Sequence, residues 1–322
     1  MKIAFRVDGN RTLGLGHVKR CMTIAKNLQK QNISCIFITK FKNIQELLKS
    51  KNFEVVRIPI KNERLIVKQI LRKFNCDVLV IDSKRKSVGK LIKNLHLDIK
   101  IVLIDNINSH KLANLVIISS VEEPYKQYPQ NTIVGIKYIL HGIENIPKSF
   151  SKEKNSILLT MGGSDKLNIT KKIVKSFLKS KNNFKLNIVL GKYYKNEKEL
   201  LKLINHDYRF HVIKNPSSLA DLMSKSEICI ATFGITVYES AICKLPLFVI
   251  SHSDENHHYA TLVENYGWFS YIGKYNQIKY ELLPAKIFNI LSNKIKLKQM
   301  TQSCLQVDGL GPYRVAKILS NL

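Results

Sequence analysis

Apolar stretches long enough for a membrane, paired cysteines, a third glycine in the first glycine-rich loop, and acidic residues are all scarce or missing. No run approaches the ~20 apolar residues that span a bilayer, and the opening MKIAFRVDGN lacks an apolar leader core. A cytoplasmic protein without stable membrane insertion is expected. The six cysteines, Cys21, Cys35, Cys76, Cys229, Cys243 and Cys304, are scattered without CxxC spacing, most of them inside apolar runs. They read as buried thiols, neither a zinc site nor a disulfide framework. The segment GLGH lacks the third glycine of a dinucleotide fingerprint, and no acidic residue ends the second strand, so a nicotinamide enzyme is disfavoured. Acidic residues number 24 against 52 lysines and arginines, a formal charge of +28. The lysines are spread through nearly every segment and no RNA- or DNA-binding motif accompanies them. No nucleic-acid partner is expected, and weak peripheral attraction to acidic lipid is the one membrane contact the charge suggests.

What is present is enough for two full cores: 322 residues, 45% hydrophobic and 24% charged. Strand and helix patterns alternate through the first half. Strands are expected at 33–38, 54–58, 77–81, 100–104 and 115–118, with helices at 44–51 and 65–74 between them. The continuous apolar runs DVLVI and KIVLI are typical of central strands in a parallel sheet. A proline-bearing irregular stretch around Pro124 and Pro129 follows. The polar segment ENIPKSFSKEKN breaks the alternation, so two α/β domains are expected, 1–148 and 149–322, with the last helix able to cross back.

The first half is organised around RVDGNRTLGLGHVKR. Ile3, Phe5 and Val7 alternate as a strand, Gly9, Gly14 and Gly16 mark a turn, and Val18, Cys21, Met22, Ala25 and Leu28 recur at helical spacing. Glycines at 14 and 16 admit a ligand close to the backbone, and the following helix aims its amino end there. His17 stands at that helix start, where open α/β sheets bind ligands, and an ordinary imidazole pKa near ~6.5 suits proton transfer. The alternative is a polar residue on a first helical turn and nothing more. Asp8, Asp82 and Asp105 each follow a strand and would converge on one cleft, although an aspartate alone is as often a helix cap or turn residue. Arg20 lies one turn beyond His17.

The second half repeats the opening. SILLTM runs into Gly162, Gly163, Ser164 and Asp165 ahead of a helix marked by Ile169, Ile173, Val174 and Phe177, an arrangement that suits a phosphate. Strands are expected at 186–190, 210–213, 227–231 and 245–250, and a short helix at 219–224. Gly234, Ile235, Thr236 and Glu239 open a further helix. The spacing of Thr236 and Glu239 fits a capping box, or else amides for a phosphate with a carboxylate for a ribose. The cluster HSDENHH, read as a loop ahead of a helix, does not place histidines four apart on one helical face, so no metal is expected. Asp308 through Arg314 supply a glycine turn and a proline at a first helical position.

Five segments, RVDGNRTLGLGHVKRCMTIAKNL, MGGSDKLNIT, FGITVYESAICKLPL, ENHHYATLVENYG and DGLGPYR, occur in this order. Together they resemble the UDP-sugar hydrolases of pseudaminic acid biosynthesis and the related spore-coat polysaccharide proteins. The resemblance implies a GT-B-like α/β fold, two doubly wound Rossmann-like domains with an interdomain cleft for a UDP-linked sugar. It also implies no cofactor and no metal. His17 would activate or position the attacking water. Asp8, Gly14, Gly16, Arg20 and Asp82 would lie on the sugar side, with Gly162, Gly163, Ser164, Asp165, Gly234, Ile235, Thr236, Glu239 and Asn256 around the nucleotide and sugar. The chain departs from the family pattern at Ser83, Lys84 and Arg85, where a tyrosine is usual, at Asn256-His257 and at Asp105-Asn106. The implied activity is hydrolysis of a UDP-linked acylated amino-deoxy sugar for nonulosonic acid and surface-glycan synthesis. The alternatives are a GT-B glycosyltransferase with a sugar or lipid acceptor and a sugar-nucleotide-binding subunit without turnover.

Overall fold

The computed structural model of the chain describes every residue except 11–13, 86, 94, 96–97 and 217. The middle of the turn expected between Gly9 and Gly14, Arg11 to Leu13, lies outside the described residues. Two compact units result, one of Met1–Gly142 with Gly309–Leu322 and the other of Ile143–Asp308.

In the first unit the alternation of the sequence becomes β1 (Lys2–Val7), α1 (Gly16–Gln29), β2 (Ser34–Thr39), α2 (Lys42–Lys49), β3 (Glu54–Arg57), α3 (Glu63–Lys73), β4 (Val78–Asp82), α4 (Val88–Ile92), β5 (Lys100–Ile104), β6 (Leu115–Ile118) and β7 (Thr132–Val134). Among the described residues these strands form one parallel sheet of order β3-β2-β1-β4-β5-β6-β7. Both faces are covered. Ile3, Phe5 and Val7 pack with Val18, Ile24 and Leu28 of α1, while Ala4 turns to the opposite face with Ile36, Ile38, Val67 and Leu71. The chain starts in the middle of the sheet and winds outward both ways, so the carboxyl ends of β1 and β4 flank the point where strand order reverses. Ligands of open α/β sheets bind at such points.

The second unit repeats this plan with β8 (Ser156–Thr160), α5 (Ile169–Leu178), β9 (Lys185–Leu190), α6 (Glu197–Ile204), β10 (Phe210–Lys214), α7 (Leu219–Lys225), β11 (Ile228–Thr232), α8 (Ile235–Ile242), β12 (Leu247–Ser251), α9 (Asp254–Glu264), β13 (Phe269–Lys274), α10 (Leu283–Ser292) and α11 (Lys294–Ser303). Its parallel sheet has the order β10-β9-β8-β11-β12-β13 among the described residues. Here the reversal falls between β8 and β11.

After the second unit, α12 (Gly311–Leu319) packs on α1 through Val315, Ala316 and Leu319. Gly311 lets the start of α12 lie against Ile139, because a Cβ there would stand 2.0 Å from the Ile139 carbonyl oxygen. His141 Nε2 lies 2.9 Å from the Gly309 carbonyl oxygen, and the Thr23 hydroxyl donates to the His141 carbonyl at 2.7 Å. The end of the chain is thereby tied to the helix that carries His17.

Candidate active site at the edge of the first sheet

His17 is the second residue of α1, and Arg20 and Cys21 follow it at three and four positions, on the same helical face. All three reach one carboxylate. Asp82 ends β4 beside Val7 in the register of β1, and its side chain is fully buried. His17 Nδ1 lies 2.7 Å from Asp82 Oδ1. Arg20 donates to both oxygens, Nη2 to Oδ1 and Nε to Oδ2, each at 2.6 Å. The Cys21 thiol reaches Oδ2 at 3.5 Å. Arg20 also donates through Nη1 to Asp105 Oδ2 at 2.6 Å. Asp105 sits in the left-handed region at φ +53° after β5, and its other oxygen accepts from the Ser119 amide at 2.8 Å.

The electrostatics follow from this packing. Burial alone would raise the Asp82 pKa, but Arg20 and His17 outweigh it and hold the carboxyl well below the usual range. Burial likewise disfavours the Arg20 cation, yet Asp105 and Asp82 keep it well above its ordinary value. Burial pushes the Cys21 thiol up, so it remains protonated beside the carboxylate. An ionised Asp82 only accepts, so His17 Nδ1 carries the hydrogen of the 2.7 Å contact. In the neutral imidazole the lone pair is then on Nε2. The His17 side chain keeps 23% of its exposure and can meet a ligand.

A second ionic network lies alongside. Arg6 of β1 is 1% exposed and donates through Nε to Glu63 Oε1 and through Nη2 to Asp8 Oδ2, both at 2.7 Å. Asp8 Oδ1 accepts from the Lys40 amide at 2.9 Å and from the Thr39 hydroxyl at 3.2 Å. Lys40 Nζ pairs with Glu63 Oε2. Arg85 closes the network through Glu63 Oε1 at 3.3 Å and Asp8 Oδ2 at 3.6 Å. Despite burial, Asp8 is held below the usual carboxylate range by Arg6, and Glu63 by Arg6 and Lys40.

Of the residues expected on the sugar side, the structure thus brings His17, Arg20 and Asp82 into one cluster. Asp82 and Asp8 are buried with their oxygens engaged by protein donors, so each orients other groups. Gly14 is at φ +72° and Gly16 opens α1, with no side chain among the described residues capping that helix. Glu63 belongs to the site's surroundings and lies in no motif, while Arg6 opens the first glycine-rich segment and Arg85 stands where the chain departs from the family pattern, neither of them expected as a site residue. The available signal was Arg6 itself: in a sheet covered on both faces, an inward arginine requires a buried anion.

In the second unit, Gly162 and Gly163 follow β8, Gly162 at φ +80°; a Cβ on Gly163 would meet nothing within 4 Å and one on Gly162 only the Thr232 methyl at 3.9 Å. The helix behind them does not start there, however. It starts at Ile169, and its first amides are already bonded: Ile169 donates to Asp165 Oδ1 at 2.9 Å and Thr170 to Asp165 Oδ2 at 2.8 Å. Asp165 is therefore the cap of α5, and Ser164 stands half-buried before it. Gly234 precedes α8, and no side chain among the described residues caps that helix. The capping box read from Thr236 and Glu239 is not formed, because Gly234 takes the cap position and Ile235 and Thr236 become the first two helical residues. Glu239 is buried. HSDENHH is not a loop: α9 begins at Asp254, capped by Ser253, which accepts from the Asn256 amide at 3.2 Å. His252 Nδ1 meets the Thr232 hydroxyl at 2.7 Å, and His257 Nδ1 meets the Tyr271 hydroxyl at 2.8 Å.

No protein-family model matches the chain. It is 29% identical over 281 residues to an uncharacterized protein of Methanocaldococcus jannaschii, a match covering 79% of this chain and 56% of that protein. The chain therefore spans little more than half the length of that relative. It is 24% identical to the spore coat polysaccharide biosynthesis protein SpsG of Bacillus subtilis, over 100% of this chain and 98% of that one. It is also 24% identical to the UDP-2,4-diacetamido-2,4,6-trideoxy-beta-L-altropyranose hydrolase of Campylobacter jejuni, over 83% and 98%. Among solved structures, Acinetobacter baumannii MurG superposes with a TM-score of 0.69 at 15% identity, and the spinosyn forosaminyltransferase SpnP with 0.75 at 9%. Both cover 100% of this chain, and 100% and 98% of their own. The fold is GT-B. A third solved structure, Anabaena HepE in complex with UDP-glucose, covers 100% of both chains with a TM-score of 0.67 at 13% identity.

Proposed function

We propose that the chain hydrolyses a UDP-linked acylated amino-deoxy sugar at its anomeric carbon, releasing UDP and the free sugar for nonulosonic acid or related surface-glycan synthesis. The observation that carries this reading is the imidazole of His17, fixed through Nδ1 by the buried Asp82. With Nδ1 holding a hydrogen, Nε2 accepts a proton from water. The water oxygen bonds to the anomeric carbon, the bond from that carbon to the diphosphate oxygen breaks, and its electron pair leaves with UDP. Arg20 and Asp105 position Asp82 and so position the base. The amino end of α8 after Gly234, which no described side chain caps, and the backbone at Gly163, where a Cβ would meet nothing within 4 Å, supply amides and space suited to the departing diphosphate. Thr236, Glu239 and Asn256 remain the candidates for nucleotide and sugar contacts.

The likeness to the Campylobacter hydrolase supports water as acceptor, while the fold shared with MurG and SpnP favours a second reading, transfer from a UDP-amino sugar to a sugar or lipid hydroxyl. UDP release from a panel of UDP-linked amino sugars, measured without acceptor, separates them. The expected result is release from one donor, lowered by ~10²–10⁴-fold in His17→Ala while UDP still binds. Release that begins only when an acceptor is added makes the chain a transferase. Donor binding without turnover under either condition leaves a sugar-nucleotide-binding subunit.

A further inference from the structure

Three residues after the carboxylate that holds His17, the chain places a cation with part of its hydrogen-bonding capacity unused. The loop behind β4 reads Ser83-Lys84-Arg85. It is pinned to the neighbouring strand end, because Asn106 donates through Nδ2 to the Ser83 carbonyl at 2.7 Å and to the Arg85 carbonyl at 3.4 Å. Asn106 follows Asp105, the second anchor of Arg20. The backbone of Arg85 and the support of His17 thus hang from the same two strand ends.

The guanidinium is held along one edge. Its Nε donates to the Ser83 hydroxyl at 3.0 Å and its Nη2 to Glu63 Oε1 at 3.3 Å, with Asp8 Oδ2 3.6 Å away. Among the described residues Nη1 has no protein partner. The network it joins sets three cations, Arg6, Lys40 and Arg85, against two carboxylates, Asp8 and Glu63. Arg6 and Lys40 are 1% and 10% exposed, whereas Arg85 is 33% exposed. The unbalanced positive charge is therefore the one that solvent or a ligand reaches. A planar fork fixed on one side and free on the other matches a carboxylate, while a sugar hydroxyl needs no net charge beside it.

We infer that Arg85 selects a donor whose sugar ring carries a carboxylate. This rests on the reading that the chain acts on a UDP-sugar, and it names the substrate class within that reading. A carboxylate against Nη1 brings the network to three charges of each sign. Arg85 acts on binding of the sugar and takes no part in moving the proton.

The test compares two donors that differ only at C6, UDP-N-acetylglucosamine and UDP-N-acetylglucosaminuronic acid, with the galacto pair alongside. Calorimetric titration into His17→Ala, which suppresses turnover, gives the ratio of dissociation constants. With Arg85 in place the acid binds about tenfold more tightly or better, the worth of one charge-assisted hydrogen bond. Arg85→Gln brings the ratio to one or below, and Arg85→Lys, which keeps charge but loses the fork, falls between. A ratio near one with Arg85 present, or a ratio unchanged in a folded Arg85→Gln, overturns the inference. If Arg85→Gln does not fold, a ratio in Arg85→Lys equal to that with arginine overturns it as well. Acid preference without UDP release from any donor keeps this assignment and removes the hydrolytic reading. Release from neutral donors with the acid rejected does the reverse.

Discussion

An imidazole acts as a base through whichever nitrogen its neighbours leave open, and here the choice rests on a single buried oxygen. Asp82→Asn keeps the shape but can present an amide hydrogen to Nδ1, which moves the imidazole hydrogen to Nε2 and closes the lone pair. UDP release should fall by ~10³–10⁴-fold, the effect of imposing the wrong tautomer, with donor KM little changed. A drop in affinity with kcat preserved would place Asp82 on the substrate instead. Because Arg20 loses one of its two charged partners in the same variant and keeps only Asp105, melting must be recorded beside the kinetics. At this scale the sequence was informative where residues share a helix: His17, Arg20 and Cys21 come from one turn-spaced segment, and Asp82 from a strand end. It was silent on Glu63, which opens α3 far from any motif and reaches Arg6 only through tertiary packing. For Asp8 and Asp82, spacing shows where a strand ends and does not show which cation waits beneath it.

Helices and strands were legible in proportion to the length and continuity of their apolar patterns. The central strands β1, β4, β5, β8, β11 and β12 carry dense apolar runs, since both faces of a parallel sheet are covered. By contrast β7 is three residues long, and β13 is half-buried and interrupted by Gly273 at φ +138°. Neither presents a run that stands out from a loop. The helix marked by Ile169, Ile173, Val174 and Phe177 begins at Ile169, but the glycine pair does not lead it directly: the side chain that holds its first amides is Asp165, four positions ahead of Ile169. Its two oxygens hold the first amides of α5, so Asp165→Ala should cost about 1–2 kcal/mol, as other caps do, and lower the melting temperature by a few degrees. Asp165→Asn, able to accept one of the two bonds, should recover part of it. If Asp165→Ala melts with the parent and instead loses UDP affinity, its carboxylate serves the ligand more than the helix.

For the whole molecule, the two domains differ in how they keep their carboxylates ionised, and acid should separate them. In the first domain Asp82, Asp8 and Glu63 are lowered against the pull of burial by arginines and a lysine, with side chains 0%, 7% and 18% exposed. In the second domain the lowered carboxylates Asp207, Glu199 and Asp254 are surface groups, 21%, 62% and 89% exposed, and such pairs add little. A carboxyl whose folded pKa lies below its unfolded value of ~4 contributes stability that is complete above that value and is lost as pH falls towards the folded one. The first domain therefore weakens selectively below pH ~4, by on the order of 2 kcal/mol for a group such as Asp82. The chain contains one tryptophan, Trp268, buried in the second domain. Urea unfolding followed by its fluorescence reports that domain, while far-ultraviolet circular dichroism reports both. Between pH 7 and pH 3.5 the dichroism midpoint should move to lower urea and separate from the fluorescence midpoint, which shifts much less. Two midpoints that fall together would mean that the buried ion pairs of the first sheet edge do not set its acid stability, and that the Asp82 charge on which His17 depends is less secure than its partners imply.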